Sequence, residues 1–329
     1  MELILASSGS YPRIGDTAED QILRRTIAQW EKGEKTEADL RAAQDRMTEA
    51  ALKEQADAGL DLVTDGQIRW YDPISHLARK LSGVEINGLL RLFDTNFYFR
   101  QPLVRSRPTR TNSLLVDDFL FAKSKSTRQV KAVLTGPYTL AKHSLAKNGQ
   151  AGANDQMLEG YTEALAEEVA ALAAAGATEI QVDEPSLLKH IGDFSQVERS
   201  LAALAARKGS ARLELALYFG DPAPIYDKLQ TLPVDVLGLD FTYNPKLTDV
   251  IARASSSMAL ALGLVDGRNT RLEDATAVSR QLQQILKGVK SGRAYLNPSC
   301  GLEYLPRDRA QLKLKHLTTI KKTFLESRG

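Results

Sequence analysis

The stretch Ala177-Thr178-Glu179-Ile180-Gln181-Val182-Asp183-Glu184-Pro185 places two carboxylates directly after an apolar run. A short run that contains β-branched residues predicts a buried strand, and Pro185 marks its end. In barrels of parallel strands, the residues that follow the strands collect at one rim, where binding and catalytic groups lie. The stretch therefore predicts a strand that delivers Asp183 and Glu184 to such a rim.

The same design recurs along the chain, because short apolar runs alternate with helical patterns. Strands are predicted near residues 3–8, 60–65, 129–135, 178–183, 212–218, 235–240, 258–265 and 293–297. Helices are predicted near residues 17–32, 37–58, 137–146, 155–175, 196–207, 222–231, 246–254, 272–288 and 308–326. Polar residues end most of the strands: Asp65, Thr135, Asp183, Tyr218, Asp240, Asp266 and Asn297. This alternation predicts an α/β fold with parallel strands and right-handed crossovers.

Such strands can form either a closed barrel or an open sheet. An open doubly wound sheet is the competing topology, but no glycine-rich phosphate motif follows the first strand. Polar residues at nearly every strand end fit a closed ring better. We therefore predict a (β/α)₈ TIM barrel.

One stretch of about residues 83–110 departs from the alternation. The apolar segments Leu89-Leu90-Arg91-Leu92-Phe93 and Phe97-Tyr98-Phe99-Arg100 flank Asp94-Thr95-Asn96, which predicts a β-hairpin inserted after the second strand. The hairpin either covers the site as a lid or merely packs on the barrel. No linker or repeat interrupts the chain, so we predict one domain over residues 1–329.

Composition narrows the class of partners. The chain of 329 residues carries a formal net charge of +2, so bulk charge does not favour nucleic acid or an anionic membrane. No apolar run approaches the roughly 18 residues of a membrane helix. The single cysteine, Cys300, excludes an internal disulfide, and the apolar start of the chain lacks a basic leader region. These features predict a cytoplasmic protein whose partners are neither nucleic acid nor a membrane.

Six motifs follow one another along the chain: Tyr11-Pro12-Arg13-Ile14-Gly15, Trp30-Glu31-Lys32-Gly33-Glu34, Thr135-Gly136-Pro137-Tyr138-Thr139, Tyr218-Phe219-Gly220, Gly263-Leu264-Val265-Asp266-Gly267-Arg268-Asn269 and Pro298-Ser299-Cys300-Gly301-Leu302. In this order and spacing they resemble cobalamin-independent methionine synthase, and the resemblance covers nearly the whole chain. They are most similar to the amino-terminal, zinc-free barrel of that enzyme. The resemblance implies a (β/α)₈ barrel and a methyltransferase that moves a methyl group from a pterin or corrinoid donor to homocysteine or a similar thiol.

The resemblance also implies a zinc ion that activates the thiol. The family binds zinc with a His-x-Cys pair after the fifth strand, an acid after the sixth and a cysteine after the eighth. Here the pair is assigned to Leu215 and Leu217, which cannot coordinate a metal. Only Asp240 and Cys300 remain as candidate ligands, an incomplete set that predicts weak zinc binding or none.

Other residues are implied to bind substrate or to act in catalysis. By resemblance, Ser8-Gly9-Ser10, Gln67 and Asp183 hold the amino acid, with Gln67 in place of an expected glutamate. Trp70 is a candidate for stacking on a flat ring, and Arg268 for binding an anion. An alternative for Asp183 and Glu184 is an ion pair with Arg13 or Arg69.

Three functions stay open at this point. The first is a stand-alone methyltransferase of the family. The second is a zinc-free accessory barrel that pairs with a separate zinc-bearing barrel or a corrinoid protein. The third is a metal-independent enzyme of altered chemistry, with Asp183, Glu184, Tyr218 and Asp240 as acid and base groups.

Overall fold

A computed structural model describes residues 1–146 and 154–327. The strands are β1 Glu2–Leu5, β2 Leu62–Val63, β3 Ser82–Arg91, β4 Tyr98–Thr109, β5 Gln129–Val130, β6 Ala132–Thr135, β7 Leu145–Ala146, β8 Glu179–Asp183, β9 Arg212–Leu217, β10 Val236–Asp240, β11 Ala259–Val265 and β12 Arg293–Pro298. The α-helices are α1 Ile22–Glu31, α2 Glu37–Asp57, α3 Ser75–Ala78, α4 Val116–Lys125, α5 Pro137–Lys142, α6 Asp155–Ala174, α7 Phe194–Ala205, α8 Tyr226–Leu229, α9 Leu247–Ala254, α10 Ala275–Leu286 and α11 Arg307–Glu326.

Parallel strands form the barrel in the order β1-β12-β11-β10-β9-β8-β6. Strand β2 pairs with β5, and a bridge between Ala6 and Leu62 joins β1 to β2. Strands β5 and β6 are separated only by Lys131, whose N–H donates to the carbonyl of Val63 at 2.8 Å. Counted as one interrupted strand, they complete a ring of eight. The predicted (β/α)₈ barrel and its eight strands are therefore confirmed.

The alternation of side chains along each strand builds two layers of packing. Ile180 and Val182 of β8 face outward and belong to the large core between the strands and the helices. Tyr295 and Val236 belong to a separate small cluster that fills the inside of the barrel. The barrel is thus packed on both sides of its wall, which fixes the strand ends where the polar residues lie.

The helix ends follow the local sequence. Thr36 and Asp39 form a capping box at the start of α2. Gly59 and Gly176 both have φ of +89°, so they supply the left-handed residue that stops α2 and α6. Helices were predicted to end near both glycines, and the structure agrees.

Strands β3 and β4 form an antiparallel pair that follows β2 and the short helix α3 in the chain. Residues 92–97 connect them, and the N–H of Leu92 donates to the carbonyl of Phe97 at 2.8 Å. The pair occupies the residues for which the hairpin was predicted, and β4 also pairs with the short strand β7. The hairpin brings residues of its turn to the carboxyl ends of the barrel strands.

Some elements differ from the prediction. Helix α4 was not predicted at all, and α1 begins at Ile22 rather than near residue 17. The predicted helix over 137–146 ends at Lys142, because β7 follows at Leu145. The predicted single domain also includes residues 147–153 and 328–329, which lie outside the described part of the chain. Among the described residues, no helix combines the length and the apolar character needed to span a membrane.

Candidate active site

A narrow cavity opens at the carboxyl ends of the barrel strands. Its free volume is about 20 Å³, room for about one water molecule. The cavity is lined by Ser8, Ser10, Gln67, Pro73, Ile74, Leu92, Phe93, Thr135, Thr139, Asp183, Pro185, Tyr218, Gly301, Glu303 and Tyr304. The lining includes five predicted site residues: Ser8, Ser10, Gln67, Asp183 and Tyr218.

Asp183 is the last residue of β8, and its buried carboxylate lies on the cavity wall. One oxygen accepts a hydrogen bond from the side chain of Gln181 at 2.6 Å, and the other accepts one from the hydroxyl of Tyr218 at 3.2 Å. Burial raises the pKa of Asp183 to about 7, although these two bonds act in the opposite direction. The group can therefore exchange a proton near neutral pH.

Glu184, the next residue, faces the start of helix α5. Its carboxylate accepts hydrogen bonds from the N–H groups of Tyr138 and Thr139 at 2.9 and 2.8 Å. It also accepts one from the Thr139 hydroxyl at 2.6 Å. Burial raises the pKa of Glu184 to about 7, against the pull of these bonds. These contacts favour a structural role, and they leave Glu184 off the cavity wall.

Replacing Glu184 with glutamine is expected to destabilise the fold more than it impairs catalysis. The new NH₂ group would face the N–H groups of Tyr138 or Thr139 at the start of α5. One buried donor would then lose its acceptor, which lowers the free energy of unfolding by about 1–3 kcal/mol. Urea denaturation measures the free energy of unfolding, and activity is compared per folded molecule. Loss of activity with unchanged stability would instead support the predicted catalytic role.

The Ser8-Gly9-Ser10 turn follows β1 and is held by side chains of neighbouring strand ends. The Ser8 hydroxyl donates to the carbonyl of Pro298 at 2.5 Å, and the Thr64 hydroxyl donates to the carbonyl of Gly9 at 2.6 Å. Gly9 has φ of +125°, a conformation that favours glycine. The N–H groups of Ser8, Gly9 and Ser10 donate no hydrogen bond to the described residues. They are free to bind an anion such as a carboxylate.

Gln67 lies on the same wall in a left-handed conformation with φ of +51°, and its N–H donates to Asp65 at 2.9 Å. Such strained residues persist where surrounding contacts hold them, often at functional sites.

Trp70, by contrast, does not line the cavity. It is buried and stacked on His76, with ring centroids 5.0 Å apart, so it serves the core in this structure. Its predicted role in stacking on a substrate ring is not supported by this placement.

Asp240 and Cys300 are not among the residues that line the cavity. Asp240 accepts hydrogen bonds from the N–H and hydroxyl of Thr242 at 2.8 and 2.6 Å. It also accepts one from the N–H of Phe219 at 3.2 Å. Cys300 is buried, and burial raises the pKa of its thiol well above the usual range. Neither group is exposed to the cavity, so their predicted catalytic and metal roles have no support from position.

Arg268 follows β11 and contacts the hairpin. Its guanidinium donates to the hydroxyl of Tyr243 at 2.6 Å and lies 3.7 Å from a carboxylate oxygen of Asp94 in the hairpin turn. It also lies over the ring of Phe219, 4.9 Å from the centroid. Arg268 is thus engaged beside the cavity rather than on its wall.

Arg13 and Arg69 were considered as ion-pair partners of the Asp183–Glu184 pair, and neither contacts it. Arg69 donates to Asp118 at 2.8 Å, and Arg13 donates to the carbonyl of Trp70.

The residues present do not fit a zinc ion. Leu215 and Leu217, assigned to the ligand pair, pack in the core outside the barrel. The inward positions at this strand end are Ala216 and Tyr218, because side chains alternate along β9. The described residues contain no group of three or more His, Cys, Asp or Glu side chains placed to hold a metal ion. The two remaining candidates fall short of the four ligands that zinc normally gathers.

Glu303, Tyr304 and Phe93 also line the cavity, although they were not predicted. Glu303 and Tyr304 follow the motif that ends at Leu302, so the sequence signal was one residue away. Phe93 lies at the end of the first predicted hairpin segment, and only the path of the turn brings it to the site.

Comparison with known proteins identifies the family. The family model described as "Cobalamin-independent synthase, Catalytic domain" matches residues 3–323. A methionine synthase of Sulfurisphaera tokodaii is 31% identical over 98% of this chain and 93% of its own. A methionine synthase of Saccharolobus islandicus is 33% identical over 93% of this chain and 90% of its own. The chain belongs to this family.

As a member of the cobalamin-independent synthases, the chain is an enzyme of the methyltransferase class. The B12-independent methionine synthase of Shewanella sp. W3-18-1, solved with selenomethionine, covers 99% of both chains with a TM-score of 0.81 and 20% identity. A methyltransferase from Methanosarcina mazei gives 0.58 at 17% identity, over 97% of this chain and 94% of its own. Both support the fold. The matched family model is that of the catalytic domain, whereas the motifs had been interpreted as closest to the amino-terminal barrel.

Proposed function

We propose that the enzyme transfers a methyl group to the sulfur of homocysteine or a similar thiol amino acid, bound in the cavity at the strand ends. The observation that carries this is that one wall brings together the Asp183 carboxylate, which has no ion-pair partner among the described residues, and N–H groups that donate to none of them. The α-carboxylate of the amino acid would bind the N–H groups of Ser8, Gly9 and Ser10, and its ammonium would bind Asp183.

Asp183 is also the candidate proton acceptor for the thiol. Its pKa of about 7 lets it take a proton from an incoming thiol near neutral pH. The sulfur then attacks the methyl carbon, and the electron pair of the broken bond stays with the donor. With a methyl-pterin, the donor nitrogen would then take up the proton that the thiol lost. The donor would be a methyl-pterin or a methyl-corrinoid, and the cobalamin-independent character of the family favours the pterin. No step is assigned to zinc, because the donor set does not fit it.

The hairpin is proposed to act as a lid rather than as decoration. Leu92 and Phe93 of its turn form part of the cavity wall. The free space of about 20 Å³ has room for about one water molecule, so entry of an amino acid would require this cover or the opposite wall to move. We further propose that residues 1–329 form one domain.

An accessory, zinc-free barrel that needs a separate zinc-bearing barrel or corrinoid protein is the second candidate, favoured by the incomplete ligand set. The metal-independent enzyme of altered chemistry has weaker support, because Glu184 and Asp240 lie off the cavity wall.

A methyl-transfer assay separates these functions. The purified chain is incubated with homocysteine and methyl-tetrahydrofolate or methylcobalamin, alone and with an added zinc-bearing homologue. Methionine formed by the chain alone supports the stand-alone methyltransferase. Methionine formed above the homologue's own rate only when both proteins are present supports the accessory barrel. Methionine in neither case contradicts both.

The purified enzyme is expected to hold well under one zinc per chain after dialysis, because Asp240 and Cys300 alone are too few ligands. Its activity is expected to be insensitive to a zinc chelator. Elemental analysis of the same sample used in the assay tests this. One zinc per chain that survives dialysis, together with activity lost on chelation, would contradict the expectation.

A further inference from the structure

Two carboxylates share the cavity wall without a cation. Asp183 and Glu303 both line the cavity, and none of the other lining side chains is basic. Neither carboxylate forms an ion pair within the described ranges 1–146 and 154–327. Removing a carboxylate from water is costly unless a cation or several hydrogen bonds compensate. The wall is therefore complementary to a positively charged ligand.

Glu303 lies in the short 3-10 helix Leu302–Tyr304 that follows β12. Burial raises the pKa of Glu303, although the charge of Arg13 and the hydroxyl of Ser10 act in the opposite direction. The same residue also borders a larger groove that contains Arg13 and Phe97. Glu303 thus stands where that groove meets the cavity.

Gln67 is the neutral residue at a position where the family resemblance implies an acid. It lines the same cavity as Glu303, and a Cβ placed on Gly9 would lie 3.9 Å from its amide nitrogen. The carbonyl of Ser10, next to Gly9, accepts a hydrogen bond at 2.8 Å from the N–H of Leu302, the residue before Glu303. One turn therefore borders both side chains, and a carboxylate on either could reach a ligand held there.

We propose that Glu303 is a specificity residue that, with Asp183, holds the ammonium group of the substrate and supplies the negative charge that Gln67 lacks. This inference rests on the proposed function, because it names the residue that selects a cationic substrate in the same cavity. Its chemistry is a charge-assisted hydrogen bond from the ammonium to a partly desolvated carboxylate.

Isothermal titration calorimetry on the full chain tests the inference by comparing the affinities of two ligands of matched shape. 3-(Methylthio)propylamine carries the ammonium, and 3-(methylthio)propan-1-ol is its neutral counterpart. We expect the wild-type enzyme to prefer the amine. Glu303→Gln should weaken amine binding about tenfold, the loss of one hydrogen bond to a charged group, and leave alcohol binding unchanged. Gln67→Glu added to Glu303→Gln should restore amine binding.

Asp308→Asn is the control. Asp308 lies close after Glu303 in the chain and is exposed, and its only ion pair among the described residues is with Arg309. It should change neither affinity. Equal weakening of both probes by Glu303→Gln, no weakening of the amine, or a wild-type enzyme without preference for the amine would overturn the inference.

The proposed function can fail separately. Amine selectivity that depends on Glu303, in an enzyme that methylates no homocysteine, would refute the methyl transfer and retain the carboxylate site. Where methyl transfer occurs, Glu303→Gln should raise KM for homocysteine about tenfold and change kcat little. A fall in kcat at unchanged KM would contradict a binding role.

Discussion

Replacing Asp183 with asparagine is expected to lower kcat/KM for methyl transfer by about a hundredfold or more, the usual effect of losing a positioned acid–base group. Asparagine keeps the size of the side chain and can still accept the hydrogen bond from Tyr218. The variant loses the charge, the ability to take a proton and one acceptor oxygen, the one that faces the Gln181 amide. The rate is measured with homocysteine at saturating and limiting concentrations, so that binding and chemistry are separated.

Asp193→Asn is a matched control, because Asp193 also accepts a hydrogen bond from a tyrosine hydroxyl, that of Tyr138 at 2.6 Å. It lies outside the cavity, so its replacement should leave kcat/KM within a few-fold of wild type. Wild-type activity should also rise with pH through about 7, as Asp183 loses its proton, and Asp183→Asn should lack this rise. Retained activity in Asp183→Asn would remove Asp183 from the mechanism.

The barrel was predictable because each strand carries its own local signals. Glu179–Asp183 is a short buried run closed by Pro185, and Gly176 stops the helix before it. Helix α4 was predictable as well but was missed. Asp117 and Asp118 in its first turn and Lys123 and Lys125 in its last turn match the expected charge pattern of a helix.

The site was predictable only in part, because orientation depends on contacts between distant segments. Adjacent carboxylates of one motif have different partners: Asp183 faces the cavity, and Glu184 faces α5. The zinc-ligand pair was assigned to Leu215 and Leu217, but both residues face outward into the core between strands and helices. Because side chains alternate along a strand, a shift of one residue places the pair on the opposite face. Glu303 was missed because it follows the motif that ends at Leu302, and its own residue type does not distinguish it from a surface acid.

Replacing Lys131 with methionine is expected to destabilise the fold by about 3–5 kcal/mol, the usual cost of breaking a buried ion pair. Lys131 Nζ lies 2.9 Å from a carboxylate oxygen of Glu214, and their side chains are 1% and 4% exposed. The single replacement leaves the carboxylate of Glu214 buried without its cation. Lys131→Met combined with Glu214→Gln should recover much of the loss. Urea denaturation of the single and double variants measures both.

The exposed pair Lys53 and Asp57 provides the control, since Lys53→Met should change stability by less than about 1 kcal/mol. A single Lys131→Met variant as stable as that control would contradict the prediction.

The buried pair also connects the barrel interior to the chemistry of the site. The charge of Lys131 lowers the pKa of Asp183, and that of Glu214 raises it. Lys131→Met should therefore move the rise of activity to higher pH, while Glu214→Gln should move it to lower pH. Opposite shifts from two residues that do not line the cavity would identify the proton on Asp183 as the one that limits the reaction. Identical pH profiles in the wild type, Lys131→Met and Glu214→Gln would show that another group controls the pH dependence of the rate.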